Sequence, residues 1–539
     1  MTQTNFIQHI DDWVEYLCLL INKMDSVQDR VKYQRQLRWT LGFRRGTNCS
    51  LVHNNTLADL YAGIELDPSR LIDENSKSYE PIQMCYKADP SGHAFKQIGK
   101  AMQCNSLFLL QGPPGTGKTT AIVEVVLQTL RANPNARILI TSETHVAVDN
   151  ALDRLSRELG DNLLSSMMRY QKFSDSTELD NPEVKRIEAL ALHDQVWQES
   201  FNREPEFTGL LWQRLSQLEK REGMVPRWLA RNLADNHQII GVTCNQIEHL
   251  IDENTELFDL AIIDECSKAT LPEWIMAMSV AAKCLLVGDH KQLPPTFCSE
   301  ESDALSELEE HQEQLIRDGV IDRIFVNAPE EMKGTLLTQF RMQPNIGEFI
   351  SKEFYNGQLS HYQQQTVDPD SNFGWLTYKT PRLFPARTGD KVLSNEIEVE
   401  IIKCKLLDLA ETNQLDRLLD VAIITPYKAQ KRALRDMVKK LKLEDKLLIE
   451  IDTVDAFQGK EASIVFFSFV RNNGSAQFYG DARRLNVALS RGKSHVYLVG
   501  HCQYLGRQKI QALKSLVQLK ILSTFDDQKR NQIYIKNPI

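Results

Sequence analysis

The chain of 539 residues has no surplus of positive charge. Its 63 lysines and arginines stand against 72 aspartates and glutamates, for a net charge of −9. That argues against an indiscriminate binder of polyanions, although a locally basic groove could still hold nucleic acid. Long apolar runs are missing too. The N-terminal apolar stretch runs uninterrupted only from Leu17 to Ile21, far short of the roughly 20 residues that span a bilayer. Asp11, Asp12 and Glu15 interrupt it, with no basic start or small-residue cleavage site, so neither a membrane partner nor a targeting segment is expected. The ten cysteines are scattered, with no C-x-x-C pair and no histidine at metal-binding spacing. They read as buried, reduced thiols of a cytosolic protein, and a structural zinc is not expected. No internal repeat or low-complexity tract occurs. What remains is an ordinary globular composition, 42% hydrophobic and 25% charged, long enough for about two to four domains.

One segment carries the strongest chemical signal of the chain. Gln111-Gly112-Pro113-Pro114-Gly115-Thr116-Gly117-Lys118-Thr119-Thr120 fits G-x-x-x-x-G-K-[ST]. Leu107 to Leu110 before it reads as a buried strand, and Ala121 to Leu127 after it as a helix. A loop so placed turns backbone N–H groups onto phosphate oxygens at a helix N-terminus. Lys118 would neutralise the β- and γ-phosphates, and the Thr119 hydroxyl would reach Mg²⁺. The segment reads as a nucleotide-binding site.

Residues 6–24 place Phe6, Ile10, Trp13, Val14, Leu17 and Ile21 at helical spacing, which predicts a packed helix. Residues 25–90 mix helix-like and turn-rich pieces. Within them, Val31 to Arg45 carries Lys32, Arg35, Arg38, Arg44 and Arg45 with Tyr33, Trp39 and Phe43 interleaved, and no acid. Such a pattern suits a grip on a nucleic-acid backbone with stacked bases. It suits equally the basic face of an amphipathic helix, the reading favoured here. From about 105, short apolar strands alternate with helical stretches, the mark of a parallel α/β sheet. Strands are expected at 106–111, 136–141, 237–243, 258–263, 282–287 and 334–338. The stretch of roughly 155–235 is too long for a simple connection and reads as a helical insertion. A second α/β series begins near 375, with strands at 420–425, 447–453, 463–469 and 495–499.

Three further groups complete a phosphate-transfer constellation. Phe258 to Ile263 is an apolar strand ending in Asp264 and Glu265. At the C-terminal end of a parallel strand beside the loop, Asp264 can hold Mg²⁺ through its waters and Glu265 can polarise the attacking water. Leu285 to Pro295 comes one strand later; Gly288 is expected to permit a tight turn that brings the Gln292 amide towards the γ-phosphate. Arg341 lies between the two α/β series. Arg491 is expected on a helix of the second, seven residues from Arg484 and on the same face. Planar guanidinium donors stabilise charge that develops on a transferring phosphoryl group.

Nine ordered motifs now carry a resemblance. They are GPPGTGKTT (112–120), TSETHVAVDN (141–150), GVTCN (241–245), DECS (264–267), GDHKQLPP (288–295), QFRM (339–342), ITPYKAQ (424–430), TVDAFQGKE (453–461) and RRLNVALSRG (483–492). Over roughly 105–500 the chain resembles the superfamily 1B helicases, in the group of the nonsense-mediated-decay RNA helicase and its DNA-acting relatives. The resemblance implies an α/β fold of two tandem RecA-like P-loop domains with parallel sheets. The expected division is an N-terminal helical or accessory region over 1–100, a first motor domain over 101–360 with the insertion, a second over 361–525, and a tail over 526–539. It further implies ATP and Mg²⁺ as cofactors, single-stranded DNA or RNA as the partner, and 5′-to-3′ movement. A recruiting protein is expected, of unknown identity.

Carried over residue by residue, Lys118 and Thr119 bind phosphate and magnesium, and Asp264 with Glu265 form the hydrolytic pair. Gln292 senses the γ-phosphate, and Arg341 and Arg491 are the arginine fingers. Glu461 matches the acid that contacts ribose, Phe340 an aromatic near the adenine, and Tyr427 with Gln430 the pattern that opens the second domain. Thr141, His145, Thr243, Pro294, Thr453 and Asp455 fall in strand-contacting or coupling motifs. Two features depart from the family. Its adenine-reading glutamine would fall near Ala94, where the nearest is Gln97, and residues 42–90 are short for its small β-barrel. Two other readings stand beside the motor: an ATPase that remodels protein–nucleic acid complexes without unwinding duplex, and a nucleotide-gated effector subunit. A simple GTPase would not explain TVDAFQGKE or GDHKQLPP.

Overall fold

The computed structural model describes residues 4–45, 51–64, 66, 92–159, 166–170, 235, 237–249, 258–384, 393–412 and 418–527. Most of the expected insertion at about 155–235 lies outside these residues, as does most of the C-terminal tail. The chain divides into two compact units. The first comprises Met1–Gly112, Gly117–His290 and Pro294–Leu336; the second comprises Pro113–Thr116, Lys291–Leu293 and Leu337–Ile539.

The first unit opens with helices α1 (Thr4–Lys23), α2 (Val27–Arg45), α3 (Leu51–Ala62) and α4 (His93–Gln103). Phe6, Ile10, Trp13 and Leu17 recur every three or four residues and are all buried, so the predicted helix turns its apolar stripe inward. On α2, Trp39 and Phe43 are fully buried and Tyr33 nearly so. These aromatics are core, not bases' stacking partners. Burying each contributes on the order of 1.5–3 kcal/mol, which outweighs leaving a ring exposed. The cations of this segment serve the same packing: Arg44 pairs with Asp11 at 2.9 Å, and Arg38 and Arg35 with Glu248 at 2.9 and 3.4 Å. The amphipathic-helix reading of Val31–Arg45 is the one the structure bears out.

The sheet of this unit consists of β1 (Leu107–Gln111), β2 (Ile138–Ser142), β3 (Met167–Arg169), β4 (Ile239–Thr243), β5 (Phe258–Asp264), β6 (Ala281–Gly288) and β7 (Lys333–Thr335). Their order is β3-β4-β2-β5-β6-β1-β7, and every pairing is parallel. Helix α5 (Lys118–Ala132) follows β1, α6 (His145–Leu159) follows β2 and α7 (Leu271–Met278) follows β5; α8 (Ser299–Leu305), α9 (Glu310–Asp318) and α10 (Ile321–Asn327) precede β7. All five residues of β1, β2 and β4 are buried, as befits parallel strands covered on both faces. Such strands read as continuous apolar runs, which is why the expected windows match. The window 334–338 is a correction: it straddles β7 and a separate strand of the second unit.

The second unit pairs β8 (Thr338–Gln339) with β9 (Ser360–His361), with α11 (Pro344–Phe354) between them. Its main sheet holds β10 (Phe373–Lys379), β11 (Leu419–Thr425), β12 (Leu447–Thr453), β13 (Ala462–Ser468), β14 (Gly492–Gly500) and β15 (Ile521–Asp526). The order is β12-β11-β13-β14-β10-β15, again with parallel pairings. Helices α12 (Glu396–Thr412), α13 (Lys428–Leu441) and α14 (Ala482–Leu489) connect them. Both units are therefore parallel α/β domains, in a tandem RecA-like arrangement along the chain. No helix among the described residues is long and apolar enough to cross a membrane.

One buried acid holds a strained turn in this unit. Val470, just past β13, has φ +72, a conformation a β-branched residue rarely adopts. Its N–H donates to both Glu398 oxygens at 2.9 and 2.8 Å, and Ser468 Oγ donates to Glu398 Oε2 at 2.7 Å. Burial pushes the Glu398 carboxyl up to about 8, and these hydrogen bonds only partly oppose it. The folded state thus holds this proton to higher pH than the unfolded chain, so stability falls as pH rises through the interval between the ordinary carboxylate range and about 8. Thermal melts should show a wild-type Tm that drops from pH 6 to pH 9 and a flatter profile for Glu398→Gln. Parallel profiles would mean the acid does not titrate in that range.

Candidate nucleotide site

The loop of residues 112–117 leaves the end of β1 and enters α5. Gly115 and Gly117 have φ +73 and +83, left-handed positions that glycine adopts at little cost. At Gly112 the need is space: a Cβ would lie 2.0 Å from Lys118 Cγ. Gly112 N donates to Gly288 O at 2.8 Å, tying the loop's root to the end of β6. Thr116 closes on Pro113 O through its hydroxyl at 2.7 Å. Lys118 Nζ donates to Gly112 O at 3.0 Å and stands 3.8 Å from Glu265 Oε1.

Asp264 ends β5, which pairs with β6, and β6 pairs in turn with β1. That order sets the acid pair at the same sheet edge as the loop. Glu265 has φ +51, and its N–H donates to Asp264 Oδ1 at 2.8 Å. A non-glycine residue in this region costs on the order of 1–3 kcal/mol, and such strain concentrates at functional sites. Burial, and then the Glu265 charge, raise the Asp264 carboxyl above the ordinary carboxylate range against the opposing pull of Lys118. Gly288 is not needed for a tight turn, as the sequence suggested. A Cβ there would lie 2.7 Å from Cys266 Sγ, so glycine permits the close passage of the Asp264–Cys266 turn. The donor set fits a nucleotide–metal pair: glycine-made space, one lysine, two carboxylates and the adjacent Thr119 and Thr120 hydroxyls, hard oxygens suited to Mg²⁺.

Within the second unit a separate network forms. Arg491 is 3% exposed and Gln292 2%; Arg491 Nη2 donates to Gln292 Oε1 at 3.0 Å. Its Nε donates to Val487 O at 2.8 Å and its Nη1 to Lys460 O at 3.3 Å. Arg491 does not share a helix face with Arg484: α14 stops at Leu489, and Arg491 sits in the turn before β14. Leaving the helix frees its guanidinium to reach carbonyls on two segments. Arg341 Nη1 donates to Ser490 O at 3.1 Å, and its Nε is 2.7 Å from Glu461 Oε2. Lys493 Nζ stands 2.8 Å from Glu461 Oε1. Burial would raise the Glu461 carboxyl, but Arg341 and Lys493 outweigh it and hold it below the ordinary range. Lys493, Ser490 and the Asn486 bond to Lys291 O at 2.8 Å were missed in the sequence. Asn486 and Ser490 stand inside RRLNVALSRG and Lys291 inside GDHKQLPP, but no role was read for them, and Lys493 lies just past the motif; only the fold brings them to Arg341, Glu461 and Gln292. Phe340 packs its ring 5.1 Å from Tyr362, and its N–H donates to Gly115 O at 2.8 Å inside the same unit.

Of the other expected positions, Thr141 is fully buried, and its hydroxyl donates to Cys244 Sγ at 3.4 Å. Thr243 is 5% exposed at the end of β4. His145 Nδ1 is 2.8 Å from Nη2 of Arg169, an arginine with no exposed surface that also pairs with Asp149 at 2.6 Å. Pro294, Thr453 and Asp455 are half-buried. Tyr427 accepts from Arg471 Nε at 2.9 Å. Gln430 is wholly buried, joining Asn395 N at 2.7 Å and Ser468 Oγ at 3.0 Å. Gln97 is buried against β7, where a Cβ on Gly334 would meet its Oε1 at 2.7 Å. The thiols are not uniformly buried: Cys18 and Cys298 are exposed, while Cys104, Cys244, Cys266, Cys284 and Cys502 are buried.

The phosphate loop before α5, with Lys118 beside the Asp264–Glu265 pair in a parallel α/β fold, defines a P-loop nucleoside-triphosphatase. Profiles described as AAA domains match residues 93–204, 171–300 and 317–503. The DNA polymerase alpha-associated DNA helicase A of Saccharomyces cerevisiae is 30% identical over 490 residues, covering 82% of this chain and 69% of that protein. The ATP-dependent helicase upf1 of Schizosaccharomyces pombe is 28% identical over 76% of this chain and 44% of its own length. The DNA-binding protein SMUBP-2 of Rattus norvegicus is 27% identical, over 76% and 42%. This chain thus spans less than half the length of the latter two. A crystal structure of the arterivirus helicase nonstructural protein 10 superposes with a TM-score of 0.38 at 13% identity, covering 80% of this chain and 66% of that one, a likeness that carries no argument about function. The chain belongs to the ATP-dependent superfamily 1 helicases, in the group of the nonsense-mediated-decay helicase.

Proposed function

We propose that the chain hydrolyses ATP to move 5′-to-3′ along single-stranded nucleic acid. The observation that carries this reading is the convergence of Lys118 with the Asp264–Glu265 pair at one sheet edge, Lys118 Nζ lying 3.8 Å from Glu265 Oε1. In the proposed mechanism Lys118 and the loop amides hold the β- and γ-phosphates. Thr119 and Asp264 would hold Mg²⁺, which supplies charge neutralisation when bound. Glu265 accepts a proton from the water whose oxygen attacks the γ-phosphorus, and ADP leaves. Arg341 and Arg491 stabilise charge on the equatorial oxygens, Gln292 orients Arg491, Glu461 receives the ribose and Phe340 packs near the adenine. Thr141, His145, Thr243, Pro294, Thr453 and Asp455 contact the strand or couple it to the nucleotide.

ATP turnover by the full chain should rise strongly with single-stranded DNA or RNA of equal length; no stimulation by either would remove the motor reading. Direction is read by displacing streptavidin from oligonucleotides biotinylated at either end. Release from the 3′ end is expected, and release from the 5′ end alone would show movement of opposite polarity.

A further inference from the structure

We infer that α13 presents a second phosphate-binding surface, which holds the backbone of the nucleic-acid strand beyond the motif contacts. Its sequence, KAQKRALRDMVKKL, has six cations and one acid, Asp436, in a chain whose net charge is −9. Lys428, Arg432, Arg435 and Lys439 fall at spacings of four, three and four, so they share one face. All four are exposed, as is Lys440, whereas Gln430, Leu434 and Met437 form the buried face opposite.

Like charges at this spacing oppose the helix by about 0.2–0.5 kcal/mol per pair. On three other helices such charges are offset within the helix: Arg154–Glu158 and Arg157–Asp153 on α6, Arg317–Glu313 on α9, and Lys403–Glu400 and Lys405–Asp408 on α12 are ion pairs. On α13, Lys428, Arg432, Lys439 and Lys440 make no ion pair among the described residues, whereas Lys431 pairs with Asp452 at 2.5 Å, and Arg435 reaches Asp452 at 3.9 Å and donates to Ile451 O at 3.2 Å. An unpaired cationic face that costs helix stability is accounted for by an anionic occupant.

Placement selects the occupant. Thr425 ends β11, with two residues between it and the start of α13, and it is the register partner of Thr453 on β12. The stripe therefore starts at the sheet edge that bears Thr453 and Asp455 and runs down the outside of the same unit. From Lys428 to Lys439 it extends about 16 Å, which matches roughly five phosphates at 3.4 Å per nucleotide of a helical strand. An acidic protein would satisfy the charge, but not the continuity with the strand-contact motifs.

The inference rests on the motor reading above. The test uses the full chain with Lys428, Arg432, Lys439 and Lys440 all changed to Gln, titrated over a salt series with single strands of about 8 and about 30 nucleotides. On the long strand the log–log salt slope should become shallower by about 3 units, near 0.7 per lost phosphate contact. Binding of the short strand should stay unchanged, and so should the Tm. The paired variants K428Q/R432Q and K439Q/K440Q should each remove about half of that slope change, and they serve if the fourfold variant fails to fold. A variant with the wild-type slope on the long strand would overturn the inference, leaving the stripe to another anion. A wild-type chain that binds neither strand would remove the motor reading, and this inference with it.

Discussion

Glu265→Gln is expected to lower kcat by about 10³-fold, within the range that a positioned general base contributes, while leaving ATP binding intact. The side chain lies 3.8 Å from Lys118 and is set by a left-handed backbone whose N–H is tied to Asp264 Oδ1. Glutamine keeps that shape but cannot accept the proton. It also removes the adjacent negative charge that, after burial, raises the Asp264 carboxyl, so nucleotide should bind at least as tightly. Lys118→Ala is the contrasting case. It removes the cation facing the phosphates, so ATP affinity should fall together with turnover. Fluorescent-nucleotide titration alongside single-turnover hydrolysis separates the two. Equal loss of binding in both variants would sink the assignment of Glu265 to proton transfer.

The second large effect is expected at Arg491. Arg491→Ala should reduce kcat by about 10³-fold or more with little change in nucleotide affinity, the scale set by arginine fingers. The side chain is also structural: it ties Val487 O, Lys460 O and Gln292 Oε1 together. Two measurements distinguish the roles. A finger loses kcat while the melting curve stays close to wild type; a strut loses Tm while kcat survives in the folded fraction. Gln292→Ala adds a double-mutant cycle. If Gln292 acts by orienting Arg491, its effect on kcat should largely vanish in the Arg491→Ala background. Full additivity would assign Gln292 a role independent of the arginine.

Much of this was legible without coordinates. The phosphate loop is local: glycines at fixed offsets, lysine and threonine at a helix start, between a strand and a helix that each show in a dozen residues. The paired acids after Ile263 are equally local, as are the strands, because a parallel strand covered on both faces must be apolar throughout. Three misreadings have separate physical reasons. Gly288 was read as a turn former, but what it answers to is Cys266 on a neighbouring strand end. Arg491 was placed on a helix that stops two residues earlier, leaving it in the turn before β14. β3 and β15 went unpredicted because one has only three residues and the other has no buried residue.

The sequence by itself determined the class of chemistry, the parallel α/β character and the family, since those depend on residue types at short, fixed spacings. Only the tertiary structure decided that the aromatics of Val31–Arg45 are core, that Glu461 lies between Arg341 and Lys493, and that Gln292 meets Arg491 from nearly two hundred residues away. Those are contacts across the chain, created when separate segments bury their apolar faces together. A contact of that kind leaves no periodicity in the sequence from which it could be read.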